Sequence, residues 1–306
     1  MPLLGGPGPR INPPMFEGSY TALVTPFRDG RVDYDAFGAL ITRQAEAGID
    51  GIVPVGTTGE SPTVDSSEHI EIIKRAVEFS AGRLKVVAGT GANATSEAIH
   101  LTREAEQVGA DGSLQVCPYY NKPSPEGIYQ HFKSVADSSS LPLMLYSVPG
   151  RSVIQIEVDT VARLARDCET VVCIKEAGGS SDRVNKLVQA VPDGFTILSG
   201  DDPLTVPFMS VGAAGVVSVA ANLIPDVIAR QVRAARGGSF DEALRIQKRY
   251  YPLLSALMTL DTNPVPIKTA LALCGYCTDE FRLPLTGLTT GKTEQLRTVL
   301  TEFELL

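Results

Sequence analysis

Eight times between residues 20 and 219 the sequence repeats one pattern, a short β-prone apolar run followed by a longer stretch with apolar side chains three and four apart. The runs fall at 20–25, 51–55, 84–88, 112–117, 143–147, 171–175, 196–199 and 215–219. The helical stretches between them fall at 33–47, 66–79, 95–108, 125–138, 157–165, 183–190 and 203–211. The runs are nearly continuous in apolar character rather than alternating, which suits strands of a parallel sheet covered on both faces. Eight such units in roughly 200 residues predict an α/β fold, a (β/α)8 TIM barrel. A doubly wound sheet is the runner-up, but no glycine-rich dinucleotide loop follows the first run.

Past residue 219 the pattern changes to helices alone, at 225–235, 241–258, 266–274 and 293–303, with a break at Gly237-Gly238. The division this implies is a flexible N-terminal extension at 1–17, a barrel at 18–235 and a C-terminal helical appendix at 236–306. The appendix is expected to pack on the barrel or on a neighbouring subunit. The first fourteen residues scatter Pro and Gly, carry one basic residue and hold no continuous apolar stretch, so no signal peptide is expected. With no long apolar run either, the expectation is a cytoplasmic protein without a membrane partner.

A net charge of −8 and the absence of Lys/Arg runs argue against nucleic acid as a partner, so an anionic substrate must be held by a few local donors. The five cysteines, Cys117, Cys168, Cys173, Cys274 and Cys277, suit reduced thiols better than a disulfide framework. Cys274 and Cys277 have CxxC spacing, but no second CxxC or His pair accompanies them, and no metal site is expected.

Chemistry in a barrel sits at the carboxyl ends of the strands. The run at 171–175 ends on Lys175, where desolvation disfavours the charged ammonium and brings a free amine within reach. That makes Lys175 a candidate Schiff-base nucleophile; a strand-end lysine can also simply carry its head to water. The second run ends in Gly56-Thr-Thr-Gly-Glu-Ser61, whose glycines let backbone N–H groups turn toward a carboxylate or phosphate while Thr57 and Thr58 add hydroxyls. Taken alone, it is equally a tight turn. Tyr146 ends the fifth run and could pass protons with Thr58 as hydrogen-bond partner, and Arg151 beyond it could clamp a carboxylate with its planar fork. Singly, each has a plainer role in packing or solvation. Together at one rim they describe Schiff-base carbon–carbon chemistry on a keto acid, for which no cofactor is needed because the imine is the electron sink.

These stretches, with Pro118-Tyr-Tyr-Asn121, Tyr146-Ser-Val-Pro-Gly-Arg151, Ile174-Lys-Glu-Ala177, Leu198-Ser-Gly-Asp-Asp202 and Asn263-Pro-Val-Pro-Ile-Lys268, carry a resemblance over nearly the whole chain. The sequence resembles the dihydrodipicolinate synthase family, within the pyruvate-dependent class I aldolases that also hold N-acetylneuraminate lyase. The resemblance implies that Lys175 forms an imine with pyruvate, whose carboxylate the Thr57 and Thr58 amides hold, with the backbone near Val217 lining the pocket. It implies a proton relay of Tyr146, Thr58 and Tyr120, the last supplied by a partner subunit of a homo-oligomer, a dimer or a dimer of dimers. It also implies that Arg151 binds the carboxylate of aspartate semialdehyde, on the route through diaminopimelate to lysine.

In lysine-inhibited members an allosteric lysine site lies at a dimer interface, and Ser61, His69, Asn93, Glu97 and Tyr119 match its positions, while Pro62 and Ser66 depart from them. Ser147 stands where asparagine is commoner, at a position without an assigned catalytic role. The alternatives are another pyruvate-dependent aldolase, like N-acetylneuraminate lyase or a 2-keto-3-deoxy sugar acid aldolase, and a catalytically silent binding barrel. The sugar-acid lyases usually carry Ser-Thr where this chain has Thr57-Thr58 and lack an arginine at position 151, which favours the synthase reading.

Overall fold

The computed structural model describes residues 15–306. Eight parallel strands close into a barrel: β1 (Gly18–Ala22), β2 (Gly51–Val53), β3 (Lys85–Gly89), β4 (Gly112–Val116), β5 (Leu143–Ser147), β6 (Val171–Glu176), β7 (Thr196–Ser199) and β8 (Gly215–Ser218). Closure is made by β1 and β8, with Gly18 opposite Gly215 and Tyr20 opposite Val217. The helices outside the strands are α1 (Tyr34–Glu46), α2 (Ser66–Ser80), α3 (Thr95–Gln107), α4 (Pro125–Ala136), α5 (Val158–Asp167), α6 (Ser181–Ala190), α7 (Thr205–Met209) and α8 (Pro225–Arg236). The TIM barrel expected from the alternation is the fold found.

The helix starts follow from local chemistry. Asp33, Asp65, Ser124 and Ser180 each turn a side-chain oxygen back onto a backbone N–H of the first turn of α1, α2, α4 and α6. Each cap satisfies one of the donors that a helix N-terminus leaves open.

Two differences from the sequence expectation have clear causes. The first strand ends at Ala22 rather than at residue 25 because Asn222 intercepts it: its Nδ2 donates to the Ala22 carbonyl at 2.7 Å and its Oδ1 accepts from the Val24 amide at 3.1 Å. The chain then forms a small antiparallel ribbon, Phe27–Arg28 with Arg31–Val32, that the apolar pattern did not signal. Of the expected N-terminal extension, residues 1–14 lie outside the described residues. Phe16, however, is fully buried and belongs to the core, edge-on to Tyr20 with ring centroids 6.1 Å apart. Glycine at the start of β4 makes room for this ring, since a Cβ on Gly112 would come within 2.4 Å of Phe16 and force it to shift.

Beyond the barrel follow α9 (Phe240–Thr259), α10 (Val265–Leu273) and α11 (Thr290–Glu302). Tyr250 of α9 stacks on Phe303 at 5.3 Å, and α10 is almost entirely buried from Val265 to Leu271. Among the described residues no helix is long and apolar enough to cross a membrane.

Candidate active site

Strand alternation decides which way each residue of β6 faces. Lys175 and Cys173 point into the barrel, and Glu176 points outward to the helix layer. Lys175 is 5% exposed and stands opposite Tyr146 of β5 in the ladder, so the two side chains share the barrel interior. Its Nζ lies 4.2 Å from the centre of the Tyr146 ring. Across the other edge, Gly200 gives the lysine stem room: a Cβ there would lie 3.0 Å from Lys175 Cε. Glu176 is fully buried and pairs with Arg183 of α6 at 2.9 Å, while accepting from the Gly178 amide at 2.8 Å. Burial pushes its carboxyl up, and Arg183, Gly178 and Gln155 pull against that rise.

The loop after β2 is tied down by its own backbone. Gly59, Glu60 and Ser61 donate to Gly56, Thr57 and Gly56 carbonyls at 3.1, 3.1 and 3.3 Å. Among the described residues the amides of Thr57 and Thr58 donate to no acceptor. Two adjacent free N–H groups, with Thr57 and Tyr146 lining the same small cavity, make a seat for a carboxylate oxygen. Thr58 is 3% exposed.

A residue to which no role was assigned from the sequence links these parts. Asn263, on the segment entering α10, donates from Nδ2 to Thr58 Oγ1 at 3.0 Å, and its backbone carbonyl accepts from Arg151 Nη2 at 2.9 Å. Because Thr58 Oγ1 accepts there, its own proton is free to point to another partner. The side-chain Oδ1 of Asn263 is buried with no hydrogen-bond partner. Arg151 itself sits exposed on a single helical turn, Pro149–Ser152, rather than on an irregular loop.

Behind Lys175, Asp202 is buried between β7 and β8, taking hydrogen bonds from the Ser218 hydroxyl and from the Val219 and Ala220 amides at 2.9 and 3.0 Å. These bonds fix the loop that follows the buried Val217. Burial pushes the neighbouring Asp201 carboxyl up to about 6, with the Asp202 charge adding to the rise. Tyr120 is not brought to this group within the chain: it is 90% exposed, at a backbone φ of +72°.

A second cleft, of about 190 Å³, lies on the outer side of the same loop. Ser61, His69, Glu97 and Tyr119 line it together with Pro62 and Ser66. His69 is 6% exposed and donates from Nε2 to the Gly89 carbonyl at 2.7 Å, and burial lowers its pKa from the ordinary range. Asn93 stands at the edge, donating to the Tyr119 carbonyl at 3.2 Å. The five cysteines are free thiols, and burial pushes Cys277 up to about 11. Among the described residues no group of three or more His, Cys, Asp or Glu is placed to hold a metal ion.

Comparison with known proteins bears directly on this arrangement. The model of the Dihydrodipicolinate synthetase family matches residues 15–303. The 4-hydroxy-tetrahydrodipicolinate synthase of Persephonella marina is 50% identical over 293 residues, which cover 95% of this chain and 100% of that protein. The crystal structure of dihydrodipicolinate synthase from Aquifex aeolicus superposes with a TM-score of 0.94 at 47% identity, covering 95% of this chain and 99% of the other. The enzyme from Cyanidioschyzon merolae, solved with lysine bound, has a TM-score of 0.92 at 42% identity over 95% of this chain and 99% of its own. With a match that runs from the buried Phe16 through every barrel strand to the last helix, the chain belongs to the dihydrodipicolinate synthetase family.

Proposed function

We propose that the chain condenses pyruvate, held as an imine on Lys175, with aspartate 4-semialdehyde to give 4-hydroxy-tetrahydrodipicolinate. The observation that carries this is Lys175 itself, a nearly buried amine in the barrel interior beside the Tyr146 phenol, which in turn lines one cavity with Thr57 of the loop whose amides are unpaired. Lys175 Nζ attacks the pyruvate keto carbon and water leaves, giving the imine. Loss of a methyl proton gives an enamine, whose carbon attacks the aldehyde. The new alkoxide takes up a proton, and the semialdehyde amine displaces Lys175 from the imine carbon to close the ring.

In this reading the free Thr57 and Thr58 amides hold the pyruvate carboxylate, and the backbone around Val217 closes the pocket. Tyr146 carries protons with Thr58, whose hydroxyl Asn263 leaves free to donate. Arg151, fixed through the Asn263 carbonyl, takes the carboxylate of the semialdehyde. Tyr120 completes the relay in a neighbouring protomer, which its exposure of 90% supports, so the active form is a homo-oligomer. The cytosol is the compartment this reading assigns. The usual Ser-Thr of the sugar-acid lyases is absent here, and an N-acetylneuraminate lyase activity is not favoured.

Intact mass after borohydride reduction with pyruvate, run beside a turnover assay on the semialdehyde, tests the assignment. A single adduct at Lys175 with turnover is expected; no adduct sinks the reading. We further assign lysine as an inhibitor binding the cleft lined by Ser61, His69, Glu97 and Tyr119, with Asn93 at its edge. The acidic Glu97 and the Tyr119 phenol suit an amino acid's ammonium. A steady-state rate that stays flat in millimolar lysine removes this assignment.

A further inference from the structure

Lys268 of α10 is a fully buried charged side chain outside the group of residues assigned to catalysis, at 0% exposure, and its partner Glu60 is 1% exposed. Their Nζ and Oε1 atoms lie 2.6 Å apart. The second carboxylate oxygen accepts from the Arg282 backbone amide at 3.2 Å. The ammonium is capped by aromatic faces, 4.1 Å from the Phe27 ring centre and 5.1 Å from that of Phe281. Glu60 occupies the left-handed region at φ +57°, where a side chain is tolerated only against some compensation. A buried ion pair is a weak source of stability compared with apolar residues of the same volume, so its retention calls for a role in geometry.

That geometry is local to the anion seat. Glu60 belongs to the loop whose Thr57 and Thr58 amides are free. Thr58 is held by Asn263, five residues before Lys268 on the same segment. The loop is therefore pinned at Thr58 and at Glu60 by one element from beyond the barrel, while Thr25 Oγ1 donates to the Gly59 carbonyl at 2.7 Å.

We propose that Glu60 and Lys268 are positioning residues for substrate carboxylate binding: their buried pair holds the loop after β2 in the conformation that leaves the Thr57 and Thr58 amides free. The C-terminal helical region is thus part of the anion site without touching the ligand. This rests on the function proposed above, in which that ligand is pyruvate.

The test uses the double variant Glu60→Gln/Lys268→Met, which removes both charges at nearly constant volume and so avoids stranding one of them. Borohydride trapping is followed by intact mass over a pyruvate series. Trapping at Lys175 is expected to reach the parental extent at saturation, with the half-saturating pyruvate concentration raised about tenfold. Glu60→Asp keeps both charges but shortens the reach, and is expected to move half-saturation the same way by less. Parental half-saturation in both variants overturns the proposal, as does a loss of trapping extent with half-saturation unmoved. Failure of the parent protein to trap pyruvate overturns the functional reading and this inference with it; the two failures are distinguishable in one experiment.

Discussion

Lys175→Arg is expected to form no borohydride-reducible pyruvate adduct and to turn over on the order of a thousandfold more slowly or worse, while remaining folded. Arginine keeps the positive charge but not the chemistry, because the guanidinium stays protonated and has no free amine lone pair. The site makes the substitution a tight one. Gly200 gives the lysine stem its room, and the bulkier guanidinium must fit between that backbone and the Tyr146 ring. Overpacking of this kind costs about 1–3 kcal/mol, so a modest fall in melting temperature should accompany the loss of activity. Lys175→Met, closer in volume and uncharged, separates the two effects: it should be equally inactive and melt nearer the parent. Substantial turnover in either variant would contradict the assigned role.

Arg183→Met is expected to give a large loss of stability from a single change outside the barrel interior. The substitution strands Glu176, which is fully buried beside Lys175 and otherwise held by the Gly178 amide and Gln155. Breaking a buried pair in this way costs about 3–5 kcal/mol, and for a chain of this size that corresponds to a melting-temperature drop on the order of 10 °C. The pH dependence has a definite sign. Burial already raises the Glu176 carboxyl, and without Arg183 it rises further. A carboxyl whose folded-state pKa lies above its unfolded one costs stability as pH climbs through the interval between them. The gap between variant and parent should therefore be widest in mild alkali and narrow toward acid, as the stranded group takes up a proton. Melting curves at several pH values check this, and a gap independent of pH would mean that Glu176 is not the group responsible.

What could be read in the sequence is what is local. The period of the apolar residues carried the barrel, and the rule that barrel chemistry sits at strand ends led to Lys175, Tyr146, Thr57 and Thr58 without any knowledge of their neighbours. Arg151 was legible as a residue, but not the helical turn that carries it or the Asn263 carbonyl that holds it. Asn263 and Lys268 lie more than 200 positions from Thr58 and Glu60, and no nearby pattern signals such a pairing. The end of the first strand was displaced for the same reason, since the Asn222 side chain that stops it lies 200 positions further along the chain. Phe16 was hidden by its surroundings: a stretch scattered with Pro and Gly reads as an extension, while one aromatic ring in it is a floor plate. Tyr120 is different in kind, because its proposed work lies in another copy of the chain.

The pairing of β1 with β8 that closes the barrel also imposes an order on biosynthesis. The first strand leaves the ribosome nearly 200 residues before its partner does, a wait of roughly ten to forty seconds at ordinary elongation rates. Through that interval β1 can pair with β2 but has one bare edge, and Phe16 and Tyr20 lack the completed wall they pack inside. The nascent chain thus carries an adhesive margin that the finished protein does not possess. Its most vulnerable period is before the last strand emerges, and its protection from self-association comes all at once when the ring shuts.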